Sequence, residues 1–277
     1  TPELAAEISL QPVDLIGVDA CIIFSDILLV PEVMGMELVV EEGMGGPRFP
    51  HPLRSRSEID HLKVPDPNHE LNYVMDAVRL TRKRLDGRAP LIGFAGSPWT
   101  LATHMVEGKG SNSFRHIKEL VYNNPKDAHA LLEKLARMVA ACLNAQIEAG
   151  AQAIQIFDTW GGILPQEEFR EFSLRWISHV LQLLRRNNIP VIVFCKDCGH
   201  SLEAIADIRP DVVSLDSTVD IGKARDMVGS YVALQGNMDP ALLYASPERI
   251  HAAVQKILEK FGKGSGHIFN LGHGVLP

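Results

Sequence analysis

Seven short apolar runs in this sequence each end on residues that can do chemistry. Val18–Phe24 is followed by Ser25-Asp26, Pro90–Phe94 by Gly96-Ser97-Pro98-Trp99, and Ala153–Phe157 by Asp158-Thr159-Trp160-Gly161. Pro190–Phe194 leads to Lys196-Asp197-Cys198-Gly199-His200, and Asp211–Leu215 to Asp216-Ser217-Thr218. Tyr231–Leu234 leads to Gly236-Asn237-Met238-Asp239, and His267–Leu271 to Gly272-His273-Gly274. Carboxylates placed there can stabilise developing positive charge, imidazoles can move protons, and Lys196 can pair with an anion. Each group also has a plainer use. Asp26, Asp158 and Thr159 can cap following helices. His273 can be a turn residue, although its flanking glycines also permit close approach of a ligand. Cys195, Cys198 and His200 form a C-x2-C-x-H string of zinc-ligand types, but Cys195 ends an apolar run and can point into a core wall. Gly43-Met44-Gly45-Gly46 lacks the Lys-Ser/Thr pair that follows a phosphate cradle and reads as a turn.

The elements that must position these groups alternate. The runs are rich in Val, Ile, Leu and Phe, as in parallel strands buried on both faces. Between them lie helix-period segments at Leu71–Leu85, Ala128–Ala149, Gln166–Leu184 and Pro247–Phe261. Asn124-Pro125 opens the second of these and Gly150 closes it. Strand alternating with helix implies a parallel α/β sheet. Because every strand discharges polar residues at its carboxyl end, the expected fold is a (β/α)8 TIM barrel, in which all those ends meet at one mouth. Only seven strands are visible, so one N-terminal βα unit is expected to be missing, and Thr1-Pro2-Glu3 reads as the start of a helix. Ending at Pro277, just after a strand-end loop, likewise suggests a C-terminal helix cut off. Residues 1–277 read as a single barrel domain with a hairpin-like insertion at about 36–64. In it Glu37–Glu41 and Arg48–Pro52 flank the glycine-rich turn Glu42–Pro47. A short helix spans Pro98–Gly110, with Ser97 as its cap.

Composition excludes several classes. The chain has 277 residues, 46% apolar and 22% charged, and a net charge of −7, unlike the basic face of a nucleic-acid binder. No apolar run reaches the roughly 20 residues that span a bilayer, and no signal peptide opens the chain. Four scattered cysteines suit a reducing cytosol.

Four strings carry a resemblance: "IIFSDIL" (22–28), "LIGFAGSPWTL" with "MVEGKGS" (91–111), "LQGNMDP" (234–240) and "FNLGHGVLP" (269–277). They resemble the uroporphyrinogen decarboxylase family. That likeness implies a (β/α)8 barrel, a cytoplasmic homodimer and a porphyrinogen substrate, with neither metal nor organic cofactor. The implied reaction removes the carboxyl groups of the four acetate side chains of uroporphyrinogen III and gives coproporphyrinogen III. By resemblance Asp26 matches the strand-end aspartate that accepts hydrogen bonds from the pyrrole N–H groups. His273 matches a histidine that meets a substrate carboxylate, and Thr159 a position where many relatives carry a substrate-binding serine. His104 stands where relatives carry a substrate-contacting tyrosine, and imidazole titrates near pH 6.5. Substrate binding is therefore expected to depend on pH between about 6 and 8. Ser217 stands where a tryptophan is commoner, with no function read from it. The family's carboxylate-binding arginines lie in an N-terminal "RQAGRY"-like segment, which nothing in this sequence matches. Two alternatives stay open: a zinc-dependent corrinoid methyltransferase using Cys195, Cys198 and His200, and a non-catalytic tetrapyrrole-binding homologue.

Overall fold

The computed structural model describes residues 1–40 and 46–276. The chain opens with α1 (Pro2–Gln11), whose cap is Thr1, with Pro2 at the first helical position. A π-helical turn (Pro12–Ile16) precedes β1 (Cys21–Ile22), and α2 (Leu29–Val33) follows it. Next come α3 (Arg56–His61), α4 (Pro67–Glu70) and α5 (Asn72–Leu85), then β2 (Leu91–Gly96), α6 (Pro98–Glu107), α7 (Arg115–Asn123) and α8 (Pro125–Ala149). β3 (Ala153–Asp158) precedes α9 (Gln166–Glu168), a π-helical stretch (Phe169–Leu174) and α10 (Arg175–Leu183). The remaining order is β4 (Val191–Cys195), α11 (Leu202–Asp207), β5 (Val212–Ser214), α12 (Ile221–Val228), β6 (Ala233–Gln235), α13 (Pro247–Phe261) and β7 (His267–Ile268).

The strands form one seven-stranded sheet in the order β1-β2-β3-β4-β5-β6-β7, every pair parallel. Strand order follows sequence order with no reversal. That is the connectivity of a barrel rather than of a doubly wound sheet, which reverses at a switch point. The sheet also curls. Gln235 Nε2 on β6 donates to Gln155 Oε1 on β3 at 3.4 Å, a contact that skips two strands and requires the inner face to be concave.

Alternation sorts the side chains into two sets. Ile154 and Ile156 on β3 face outward with Val191 and Val193 of β4, buried under the helices. Gln155 and Phe157 pair with Ile192 and Phe194 on the inner face, where Phe94, Phe157 and Phe194 meet edge to face. Among the described residues the two edges leave part of this inner face open, since Ile22 and Ile268 are each 43% exposed.

The expected strand and helix positions hold, with three differences. β1 and β7 shrink to two residues each, since among the described residues each has a strand partner on one side only. The helix expected over 166–184 is broken by the π-helical stretch. The insertion keeps one antiparallel bridge, Val39 with Arg48, at N···O distances of 2.9 and 3.0 Å. Most of its expected turn lies outside the described residues. Beyond that bridge the arm joins α6 instead: Phe49 N–H donates to Gly108 O at 2.7 Å and Leu53 N–H to Met105 O at 2.9 Å. Gly108 ends α6 with φ +81°, and a Cβ there would come within 3.0 Å of Phe49 O, so the close approach needs glycine. The insertion also contains α3; its carbonyls at Ile59 and Asp60, and that of Leu62 just beyond its end, accept from Lys134 Nζ on α8.

Candidate active site at the strand ends

Asp26 lies exposed just after β1. One carboxylate oxygen accepts from Leu28 N–H at 2.8 Å, a local turn that opens the way to α2. The cap and a chemical role are compatible, because a carboxylate has further lone pairs to offer.

His104 comes to this aspartate from α6. The helix starts at Ser97, whose hydroxyl accepts from Thr100 N–H, and all its residues except His104 and Glu107 are buried. The helix is packed into the wall, yet His104 is only half-buried and lies within the field of the Asp26 carboxylate. Burial holds the imidazole below its usual value of 6.5, and the Asp26 charge opposes this only in part. A lowered value moves His104 titration toward the acid side of the pH range over which substrate binding is expected to vary. Trp160 Nε1–H donates to His104 Nε2 at 3.2 Å.

The strand-end pair Asp158-Thr159 separates by alternation. Asp158 pairs with Cys195 on the outer face and is completely buried. Its carboxylate accepts from Ser97 Oγ at 2.6 Å, Thr100 Oγ1 at 2.9 Å and Ser173 Oγ at 2.5 Å. Burial pushes the Asp158 carboxyl up, and the three hydroxyls push it back down. A Cβ at position 161 would lie 2.4 Å from Asp158 Oδ2, so the glycine of "TWGG" leaves room for the carboxylate. Thr159, next along, falls on the inner side with Phe157. It is half-buried, and its hydroxyl takes no partner among the described residues.

The same parity sends Lys196 inward and Cys195 outward. Lys196 Nζ stands 3.7 Å from Asp197 Oδ2. His273, exposed after β7, packs its ring 6.2 Å from Phe194 and feels the charges of Lys196, Asp197 and Asp216. Burial first and Lys196 second hold its imidazole below 6.5. Asp216 is buried and accepts from Asp197 N–H at 2.7 Å and from Thr218 N–H at 2.8 Å, so it shapes the loops rather than facing a ligand. The strand ends thus converge as expected, but Ser97, Asp158 and Asp216 are spent on structure. Trp160 and Lys196 join the site on geometry. Counting strand parity from Phe157 and Phe194 would have separated both pairs from the sequence.

The zinc-ligand string does not assemble. His200 is exposed, Cys195 and Cys198 are buried, and Cys198 Sγ donates to Lys196 O at 3.1 Å. The Cys195 thiol is pushed well above its usual value by its hydrogen bond to Cys198 and by burial. Among the described residues no group of three or more His, Cys, Asp or Glu side chains is placed to hold a metal ion. Nor, among them, is any helix long and apolar enough to cross a membrane.

The profile of a family described as "Uroporphyrinogen decarboxylase (URO-D)" matches residues 1–277. The chain is 57% identical over 280 residues to a protein named uroporphyrinogen decarboxylase from Methylococcus capsulatus, covering 100% of this chain and 80% of that one. It is 54% identical over 277 residues to the protein of the same name from Actinobacillus pleuropneumoniae serotype 5b, covering 99% and 78%. Among solved structures, a methyltransferase from Methanosarcina mazei superposes with a TM-score of 0.83 at 22% identity, covering 99% of this chain and 80% of that one. At that identity the likeness is one of fold.

Proposed function

The chain belongs to the uroporphyrinogen decarboxylase family, and from that premise we propose which of its residues do the chemistry. The reaction is a carboxy-lyase reaction: the four acetate side chains of uroporphyrinogen III lose their carboxyl groups, leaving coproporphyrinogen III. Breaking the bond to each carboxyl carbon releases an electron pair that needs a sink. Protonation of the pyrrole ring carbon provides one, as a cationic ring. The electron pair then neutralises that cation as carbon dioxide leaves; protonation of the new methylene gives the methyl, and loss of the proton first added to the ring carbon restores the neutral pyrrole.

The observation that carries the assignment is the Asp26 carboxylate, exposed after β1 with the His104 imidazole within its field. There it accepts the pyrrole N–H groups through the lone pairs that Leu28 leaves free and stabilises the developing positive charge. Thr159 offers its unpartnered hydroxyl to the substrate. His273 and Lys196 hold peripheral carboxylates, and His104 contacts an acetate from the opposite wall. The apolar inner face beneath, with Phe94, Phe157 and Phe194, lowers the local dielectric and strengthens these contacts. We infer a cytoplasmic homodimer built from one barrel domain per chain, as the family resemblance implies. The corrinoid methyltransferase reading is not favoured, because relatives more than half identical bear the decarboxylase name.

Purified protein incubated anaerobically with uroporphyrinogen III should yield coproporphyrinogen III and four molecules of carbon dioxide per macrocycle. Substrate binding without any loss of carboxyl groups would replace this reading with the non-catalytic one.

A further inference from the structure

His104 receives a hydrogen bond from a group that can only give one. An indole N–H is a donor with no acceptor capacity, so a ring nitrogen bonded to it must be unprotonated. Trp160 Nε1–H reaches His104 Nε2 at 3.2 Å, with ring centroids 6.3 Å apart. The proton of the neutral ring must then sit on Nδ1. That atom has no protein partner among the described residues and is not sealed from solvent.

Trp160 is itself clamped from several sides. Its carbonyl accepts from Trp99 Nε1 at 2.9 Å, its backbone N–H donates to Thr100 Oγ1 at 3.3 Å, and Phe114 packs on its ring at 4.9 Å. Thr100 in turn bonds the buried Asp158. The indole is therefore aimed by α6, by the turn after β3 and by the residue before α7. Asp26, after β1, is the charged group whose field reaches the imidazole.

We propose that Trp160 is a positioning residue that locks His104 as the neutral Nδ1–H tautomer, so that His104 presents a fixed, neutral hydrogen-bond donor to a substrate carboxylate. A histidine so held does what a phenol hydroxyl would do at the same place. Protonating Nε2 would require breaking the indole bond, and the Trp160–His104 pair thereby resists the imidazolium form. The substrate half of this inference rests on the function proposed above, whereas the tautomer does not.

The test is nitrogen NMR of protein labelled with 15N-histidine, paired with kinetics. In the wild type, His104 should show a protonated Nδ1 and an unprotonated Nε2 at pH 7.5, retained down to about pH 6.5. Trp160→Phe keeps the ring packing and removes the N–H. It should release His104 into a mixture of tautomers and raise KM several-fold, with kcat changed less. His104→Tyr should keep KM near the wild-type value, and His104→Phe should raise it. A wild-type His104 protonated on Nε2, or an unchanged tautomer in Trp160→Phe, would overturn the lock. A locked Nδ1–H with KM indifferent to His104→Phe would overturn only the contact with substrate.

Discussion

Two aspartates stand at strand ends of this sheet, after β1 and at the end of β3 with β2 between them, and live opposite lives. Asp26 is exposed at the mouth with one short-range hydrogen bond, whereas Asp158 is sealed behind β3 with three hydroxyls around its carboxylate. Side-chain type does not distinguish them, and neither does position at a strand end. Sidedness does. Asp158 has the parity of Ile154 and Ile156, so it meets the helices and ties α6 and the π-helical stretch to β3. Asp26 is exposed, and under the proposed function its charge serves a reacting cation. Burial of a carboxylate is tolerated at Asp158 only because every hydrogen bond it needs is supplied.

The largest stability effect should come from breaking the buried set. Asp158→Ala would strand three hydroxyls in a dry space and should cost about 3 kcal/mol. That corresponds to a melting temperature lower by roughly 6–12 °C. Calorimetry showing an unchanged transition would mean the hydroxyls find other partners and the network holds nothing together.

Next come the groups assigned to peripheral carboxylates. Lys196→Gln and His273→Gln should each raise KM about tenfold, the usual worth of one charge-assisted hydrogen bond. Their turnover at saturation should change little. Steady-state kinetics in which kcat falls and KM stays would move these residues from binding into the chemical step.

A smaller effect concerns pH. His104 and His273 are both held below 6.5 in the folded chain, so the unfolded chain binds more protons in this range. Their contribution to stability is complete above about pH 6.5 and is lost as pH falls through the lower folded values. Urea unfolding between pH 8 and 5 should show this acid-side loss, and His104→Tyr should reduce it. Stability that instead rose on acidification would contradict the burial of His104.

The smallest expected effect is none. Cys21 and Cys142 are pushed up to about 11 and about 12 by burial, so both remain thiols at neutral pH. Maleimide treatment of the folded protein should leave turnover intact, and rapid labelling of either residue would show the core to be open.

Much of this was legible in the sequence because its physics is local. Apolar runs bounded by glycine and polar turns fixed the strands, and Ser97, Pro98 and Gly108 bounded α6 by their capping preferences. The alternation that separates Thr159 from Asp158 was also present, but it becomes informative only once a neighbouring strand shows which face is inner. What the sequence could not display were contacts made by distant segments. Trp160 meets His104 across 56 positions of sequence, so the indole N–H bond to the imidazole is visible in neither segment alone. The arm after β1 keeps its antiparallel bridge between Val39 and Arg48, and Phe49 and Leu53 also bond to the end of α6, whose open carbonyls offer acceptors.

The most direct test of the contrast between the two aspartates is turnover of uroporphyrinogen III by Asp26→Asn and Asp158→Asn, each shown to be folded by its melting curve. Asparagine can still accept from Leu28 N–H at position 26, and at position 158 from Ser97 and Thr100, so both changes remove charge and preserve shape. The expected result is a loss on the order of 10²–10³ in kcat for Asp26→Asn, with Asp158→Asn within a few-fold of the wild type. Near-normal turnover by Asp26→Asn, or the large loss appearing at Asp158 instead, would contradict the account.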